Sequence, residues 1–217
     1  MTTAVERAIA DLVAIGALAE DTPLDGVRDL VISHARSLAG LDACTGLETL
    51  SLIGCAVGDY AVVSRLPKLR VLVIENSDLT DISWAPALPL QVAVVRRDRL
   101  RDGTPLLGLA TIQSLDLTGN PLDGQSRTAA AAGDSGRLCW VDDDETAEAN
   151  IRLADAATGV VAYRRDGSLW ACATGLDLTR VPEAGHVETT FAQLDDIAQG
   201  RLRPELLLGL DVGREDT

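Results

Sequence analysis

The chain has 217 residues, 47% of them apolar, and a formal net charge of −14. That is enough apolar chain for a substantial core, and the acidity argues against a nucleic-acid or anionic-membrane surface as partner. The cysteines, Cys44, Cys55, Cys139 and Cys172, form no C-x-x-C pair, so they are expected to be reduced packing residues in a cytoplasmic protein.

In chain order, the first 22 residues predict a capping helix. Thr3 and Glu6 fit a capping box, and Val5, Ile9, Leu12, Val13 and Gly16 share one helical face. Glu6 and Asp11 interrupt the stretch and no basic segment precedes it, so it does not read as a signal peptide. No segment approaches the roughly 20 apolar residues of a membrane span.

From residue 23 one pattern recurs. "VRDLVISHARSL", "LETLSLIGCAV", "LRVLVIENSDL", "LQVAVVRRDRL" and "IQSLDLTGNPL" align at steps of 20, 22, 21 and 22 residues. Each approximates L-x-x-L-x-L-x-x-N-x-L, a strand followed by a turn. The ninth position holds Ala35, Cys55, Ser77, Asp98 and Asn120 in turn. An Asn there can donate to and accept from the backbone of neighbouring coils, whereas a buried Asp98 needs backbone N–H groups or an Arg to satisfy it. In the returning halves, Leu41 and Cys44, Val63 and Leu66, Trp84 and Ala87, and Leu106 and Leu109 predict short helices or 3₁₀ turns with one buried face.

Residues 24–125 therefore resemble bacterial leucine-rich repeat proteins of the short-unit type. The resemblance implies an α/β fold: a right-handed solenoid of about five coils over residues 23–126, with an N-terminal helical cap and a C-terminal α+β cap. It also implies non-catalytic protein recognition through the concave sheet.

Residues 127–217 carry more than half of the net negative charge and are expected to form the C-terminal capping subdomain. "GQSRTAAAAGDSG" reads as a linker or a degenerate coil with a short helix, and "RLCWV" as a strand. The acids of "VDDDET" suit a helix N-terminus, Asp166-Gly167 a two-residue hairpin turn, and Thr189 or Thr190 the cap of a helix ending at Gly200. This subdomain is expected to pack on the last coil and cover its exposed end. Its hairpin followed by a helix resembles the end of some bacterial toxin-immunity domains. With the small size, the acidity and the lack of catalytic groups, an immunity or antitoxin-like role is the specific expectation.

Side chains between the core leucines of each strand face the concave side, because strand residues alternate. Stacking the copies brings together Val71, Val73, Val92 and Val94, with Glu75, Asn76, Arg96 and Arg97 at one border and Asp116 at the end of the row of Val73 and Val94. An apolar centre with a charged rim is the composition of a protein-binding patch. The valines could instead serve β-propensity or lie under the C-terminal subdomain, and "RRDRLR" could pair internally with Glu75 and Asp116.

For catalysis, Cys139 or Cys172 with His186 could be drawn as a nucleophile and base. "LCW" and "LWAC", however, set both cysteines in strand patterns beside tryptophans, which favours packing. "VDDDET" lacks the spacing of a calcium loop, and no phosphate-binding glycine motif is present, so no metal or cofactor is expected. The reading is a binding protein for an unidentified partner protein, not an enzyme. Its oligomeric state is open, and a self-associating assembly protein is the remaining alternative.

Overall fold

The structure is a computed structural model that describes residues 2–132 and 136–210. Parts of two predicted segments, residues 133–135 of the linker and 211–217 of the C-terminal subdomain, lie outside the described residues.

The repeats build one parallel sheet in which strands follow chain order: β1 (Asp29–Ser33), β2 (Thr49–Ile53), β3 (Val71–Glu75), β4 (Val92–Arg96), β5 (Ser114–Asp116) and β6 (Leu138–Trp140). Alternation sends Leu30 and Ile32, Leu50 and Leu52, Leu72 and Ile74, Ala93 and Val95, and Leu115 inward, where all are buried. Short 3₁₀ turns at Leu41–Ala43, Ala61–Arg65 and Ala85–Ala87, and the helix α2 (Thr104–Leu107), close the coils on the far side. Leu41, Cys44, Val63, Leu66 and Leu106 are buried there, as the spacing predicts.

One coil departs from that register. Ile82, Ala85 and Leu88 are buried in place of Trp84 and Ala87. Elsewhere a turn brings Leu47 N to Cys44 O, Leu69 N to Leu66 O and Ile112 N to Leu109 O. In the departing coil Pro89 has no N–H, and it forces the preceding Leu88 into extended backbone with ψ 147°. The turn therefore shifts by one residue.

The sheet also gains a sixth strand from residues that the sequence places in the C-terminal subdomain. β6 is reached through helix α3 (Gly124–Ala131), whose Asp123 cap accepts from Ser126 N. The step from Ser114 to its partner Leu138 is longer than any repeat step, and no leucine stands at the inward position, which Cys139 occupies. For that reason the repeat pattern does not extend to it.

Helix α1 (Ala4–Ala14) packs beside β1 with its capping box formed, Thr3 N to Glu6 Oε2 at 2.7 Å and Glu6 N to Thr3 Oγ1 at 3.1 Å. Val5 and Ala8 join the core of the coils.

The ninth-position residues link successive coils. Ser77 Oγ accepts from Cys55 N (2.9 Å), Asp98 Oδ1 from Ser77 N (2.6 Å) and Asn120 Oδ1 from Leu100 N (3.2 Å). Asn120 Nδ2 donates to Val95 O and Leu117 O, so it uses both halves of its amide. Asp98 is satisfied at one oxygen only: Oδ2 is buried with no partner among the described residues, and burial pushes the carboxyl well above its ordinary range.

The residue just before the ladder is left-handed in every repeat: His34, Gly54, Asn76, Arg97 and Gly119 have φ of 54°, 59°, 52°, 58° and 75°. A non-glycine residue in that region is uncommon, and Arg and His there are held by their surroundings.

A second, antiparallel sheet of β7 (Val160–Arg165), β8 (Ser168–Ala173) and β9 (Val187–Glu188) packs with α4 (Asp144–Asp155) and α5 (Phe191–Ala198) around Ala149, Leu153, Ala162, Ala171 and Leu194. Asp166 and Gly167 both take positive φ, as a two-residue hairpin turn demands. Thr190, rather than Thr189, caps α5.

This second sheet runs along the left-handed turns of several coils, and does not sit only on the open end. Thr174 Oγ1 is shared between Ser77 O (2.5 Å) and Arg97 O (2.8 Å), Gly175 N donates to Asn76 O (2.8 Å), and Asn76 Nδ2 donates to Ala173 O (3.1 Å). Arg99 reaches Thr174 O and Asp177, and His34 meets Glu183 at 2.6 Å.

Candidate interaction surface

Strand register sets the concave face. Val71 pairs with Val92 and Val73 with Val94, so the four valines form a block across β3 and β4. All four are half-buried and belong to none of the buried clusters among the described residues. Val31, on β1, is 55% exposed at one end of the same face. Leu138 and Trp140, opposite Ser114 and Asp116, are 62% and 47% exposed at the other.

The charged border is internally paired. Glu75 takes Arg96 at Oε1 and Arg97 at Oε2, each at 2.8 Å, and Asp116 lies 3.9 Å from Arg96. Asp116 also accepts from Thr118 N (3.0 Å) and Thr118 Oγ1 (2.8 Å). Arg97 donates through Nε to Asn76 Oδ1 (3.0 Å) and lies over the Tyr163 ring, 5.3 Å from its centroid. The eight residues expected at the patch are therefore contiguous, and the intramolecular pairing of the arginines is present as well.

Residues the repeat pattern did not single out adjoin this border. Tyr163, Arg164, Arg165 and His186, from β7 and the segment before β9, line a cleft of about 480 Å³ together with Arg96, Arg97, Thr118 and Glu183. The sequence signal for them was faint: "YRRDG" reads as a hairpin, and nothing in it says which face of the solenoid it meets. Leu138 and Trp140 were visible as a strand but not as part of the solenoid sheet.

The cysteine and histidine groups considered for catalysis are arranged differently. Cys172 is fully buried, its thiol pushed up to about 12 by burial, and it accepts from Asn76 Nδ2 at 3.2 Å. Burial also raises the Cys139 thiol. His186 Nδ1 is hydrogen-bonded to the Tyr163 hydroxyl at 2.6 Å, and burial, with the Arg97 and Arg165 charges, lowers its proton affinity. Among the described residues, no three His, Cys, Asp or Glu side chains are grouped to hold a metal ion, and no helix is long and apolar enough to cross a membrane.

Fold and face together define an α/β repeat solenoid with the leucine-rich pattern and a mixed apolar and charged concave surface. No protein-family model matches the chain. No curated protein matches its sequence. Among solved structures it is similar to an internalin C2 from Listeria monocytogenes str. 4b F2365, with a TM-score of 0.46 and 17% identity over 54% of this chain and 52% of that one. It is also similar to a second internalin (inlF) of that strain, with a TM-score of 0.48 and 20% identity over 70% of this chain and 56% of the other. The chain spans about half the length of the internalins it matches.

Proposed function

We propose that the chain is a non-catalytic protein-binding module that receives a partner protein on its concave sheet, in an immunity or antitoxin-like role within the cytoplasm. One observation carries this reading: the register-matched block of Val71, Val73, Val92 and Val94, half-exposed and outside the buried clusters of the described residues. Apolar area left accessible beside Glu75, Arg96, Arg97 and Asp116 gives a partner both desolvation energy and register. Leu138 and Trp140 extend that area toward β6.

The test compares wild-type protein with a Val73→Glu/Val94→Glu variant as bait in the native host. Wild type should retain one stoichiometric partner, and the variant, folded by circular dichroism, should lose it with a fall in affinity of about thirtyfold or more. A partner that is toxic alone and neutralised by this chain supports the immunity role. Equal capture by both baits overturns the concave assignment.

A further inference from the structure

The two edges of the parallel sheet are finished differently. Helix α1 packs beside β1, whereas β6 ladders with β5 alone among the described elements. An uncovered edge strand offers its unpaired backbone groups to another chain. β6 adds apolar surface to that offer. Leu138 and Trp140 are 62% and 47% exposed on the concave side, while Cys139 between them packs on the core of the coils.

The ladder fixes which backbone groups of β6 face outward. Leu138 N donates to Gln113 O and Trp140 O accepts from Leu117 N, both at 2.9 Å. The C=O and N–H of a trans peptide point opposite ways, so Arg137 O and Val141 N are directed away from β5. Cys139 lies between two residues that serve the ladder, and it directs both its N–H and its C=O outward. None of these groups has a backbone partner among the described residues.

The outward groups are self-complementary about Cys139. A second β6, laid antiparallel across a two-fold axis at this residue, meets every one of them. Cys139 exchanges both bonds with its counterpart, and Val141 N of each copy reaches Arg137 O of the other. The same register sets Leu138 of one copy opposite Trp140 of the other.

The charges agree with that direction. Arg137 stands at the start of β6, and its guanidinium meets only Leu107 O among the described residues. Asp142, Asp143, Asp144 and Glu145 follow the strand. Antiparallel pairing brings the basic end of each copy to the acidic end of the other, whereas parallel pairing sets like charges together. A head-to-tail contact would need the edge of β1, where α1 packs. We propose that β6 is a dimer edge at which a second copy of this chain pairs antiparallel, so that the concave sheet continues from one copy into the other.

Sedimentation of the full chain from about 1 µM to about 1 mM should show a reversible monomer–dimer equilibrium. Leu138→Lys/Trp140→Lys should raise the dissociation constant about thirtyfold or more. Both side chains are exposed, so this variant should keep the thermal unfolding profile of wild type. Oxidative cross-linking reads the register. Directly opposed side chains have Cβ atoms about 4.5–5.5 Å apart, close to the reach of a disulfide. A mixture of Leu138→Cys and Trp140→Cys chains should therefore give a covalent dimer bonded between those two positions, in larger yield than either chain alone. Three outcomes overturn the proposal: a wild type still monomeric at about 1 mM, which would leave the edge to a strand of a different protein; a dimer that survives the lysine variant; or a mixture that cross-links no better than its components. Val73→Glu/Val94→Glu, altered on β3 and β4, should still dimerise, so failure of the concave-face reading and failure of this one are seen separately.

Discussion

The interior of the coils and the seam between the two sheets are held by different chemistry. Leu50, Leu72, Ala93 and Leu115 stack through the coils with no exposure, each replaceable in kind by its neighbour. The seam depends on single polar contacts: Thr174 to Ser77 and Arg97, Gly175 and Ala173 to Asn76, and Arg99 to Thr174 and Asp177. Apolar burial is non-directional and grows with each coil added, at about 25 cal/mol per Å². A seam hydrogen bond adds only about 1 kcal/mol net but fixes an angle, and it costs more when one partner is left buried and alone. The solenoid thus supplies stability, and the seam decides where the hairpin arginines lie relative to Arg96 and Arg97.

The largest expected effect comes from cutting the interior. Leu72→Ala, in the middle of the stack, should cost about 2–5 kcal/mol in chemical denaturation, with loss of structure in both sheets together. Thr174→Val should cost less, about 1–3 kcal/mol, because it leaves Ser77 O and Arg97 O without their shared donor while keeping the side-chain volume. Hydrogen exchange sharpens the distinction. In Thr174→Val, protection should fall across β7 and β8 while β2 and β3 keep theirs. If exchange rises equally in both sheets, the seam is part of one cooperative core and the division fails.

The same division explains what could be read from the chain. Leucines recur because every coil needs the same residue at the same place, and repetition is visible without a structure. Asn120 was readable as a ladder residue for that reason, and Asp98 as a residue in need of backbone N–H groups. It finds one in Ser77 N, and its second oxygen goes without. Strand alternation alone puts Val71, Val73, Glu75, Val92, Val94, Arg96 and Asp116 on one face, whereas Arg97 lies just past β4 at a left-handed turn. What repetition cannot encode is a contact made once. Thr174 docking on Ser77, Pro89 shifting the turn that buries Ala85, and Arg165 meeting the arginines of β4 and its turn each depend on a single local event. β6 lies between these cases, a strand in composition but joined to the sheet by a detour that breaks the period.

Asp142 lies at the junction of the two regions, between β6 and α4, and its Oδ2 accepts from Gly119 N at 2.7 Å. A separate expected effect, read as a change with pH and not as a single loss, is a stability slope at this residue. Burial raises its carboxyl from the ordinary 3.8 to about 7, with the Gly119 N–H pulling the other way and the Asp143 and Asp116 charges adding to the rise. The folded chain therefore holds this proton up to about pH 7, whereas the unfolded chain releases it near 3.8. Between those values the folded state binds more protons, so this group's contribution to stability falls as pH rises and is most favourable below 3.8. Asn at position 142 keeps an acceptor for Gly119 N and cannot ionise. Relative to wild type, Asp142→Asn should gain stability in urea steadily from pH 4 to pH 7 and show no further relative gain above that. Asp98 is buried with a shift in the same direction, but it is present in both proteins, so the difference between them isolates Asp142. A difference that does not change with pH would mean that Asp142 is ionised throughout, and that the joint between β6 and α4 is wetter than its burial implies.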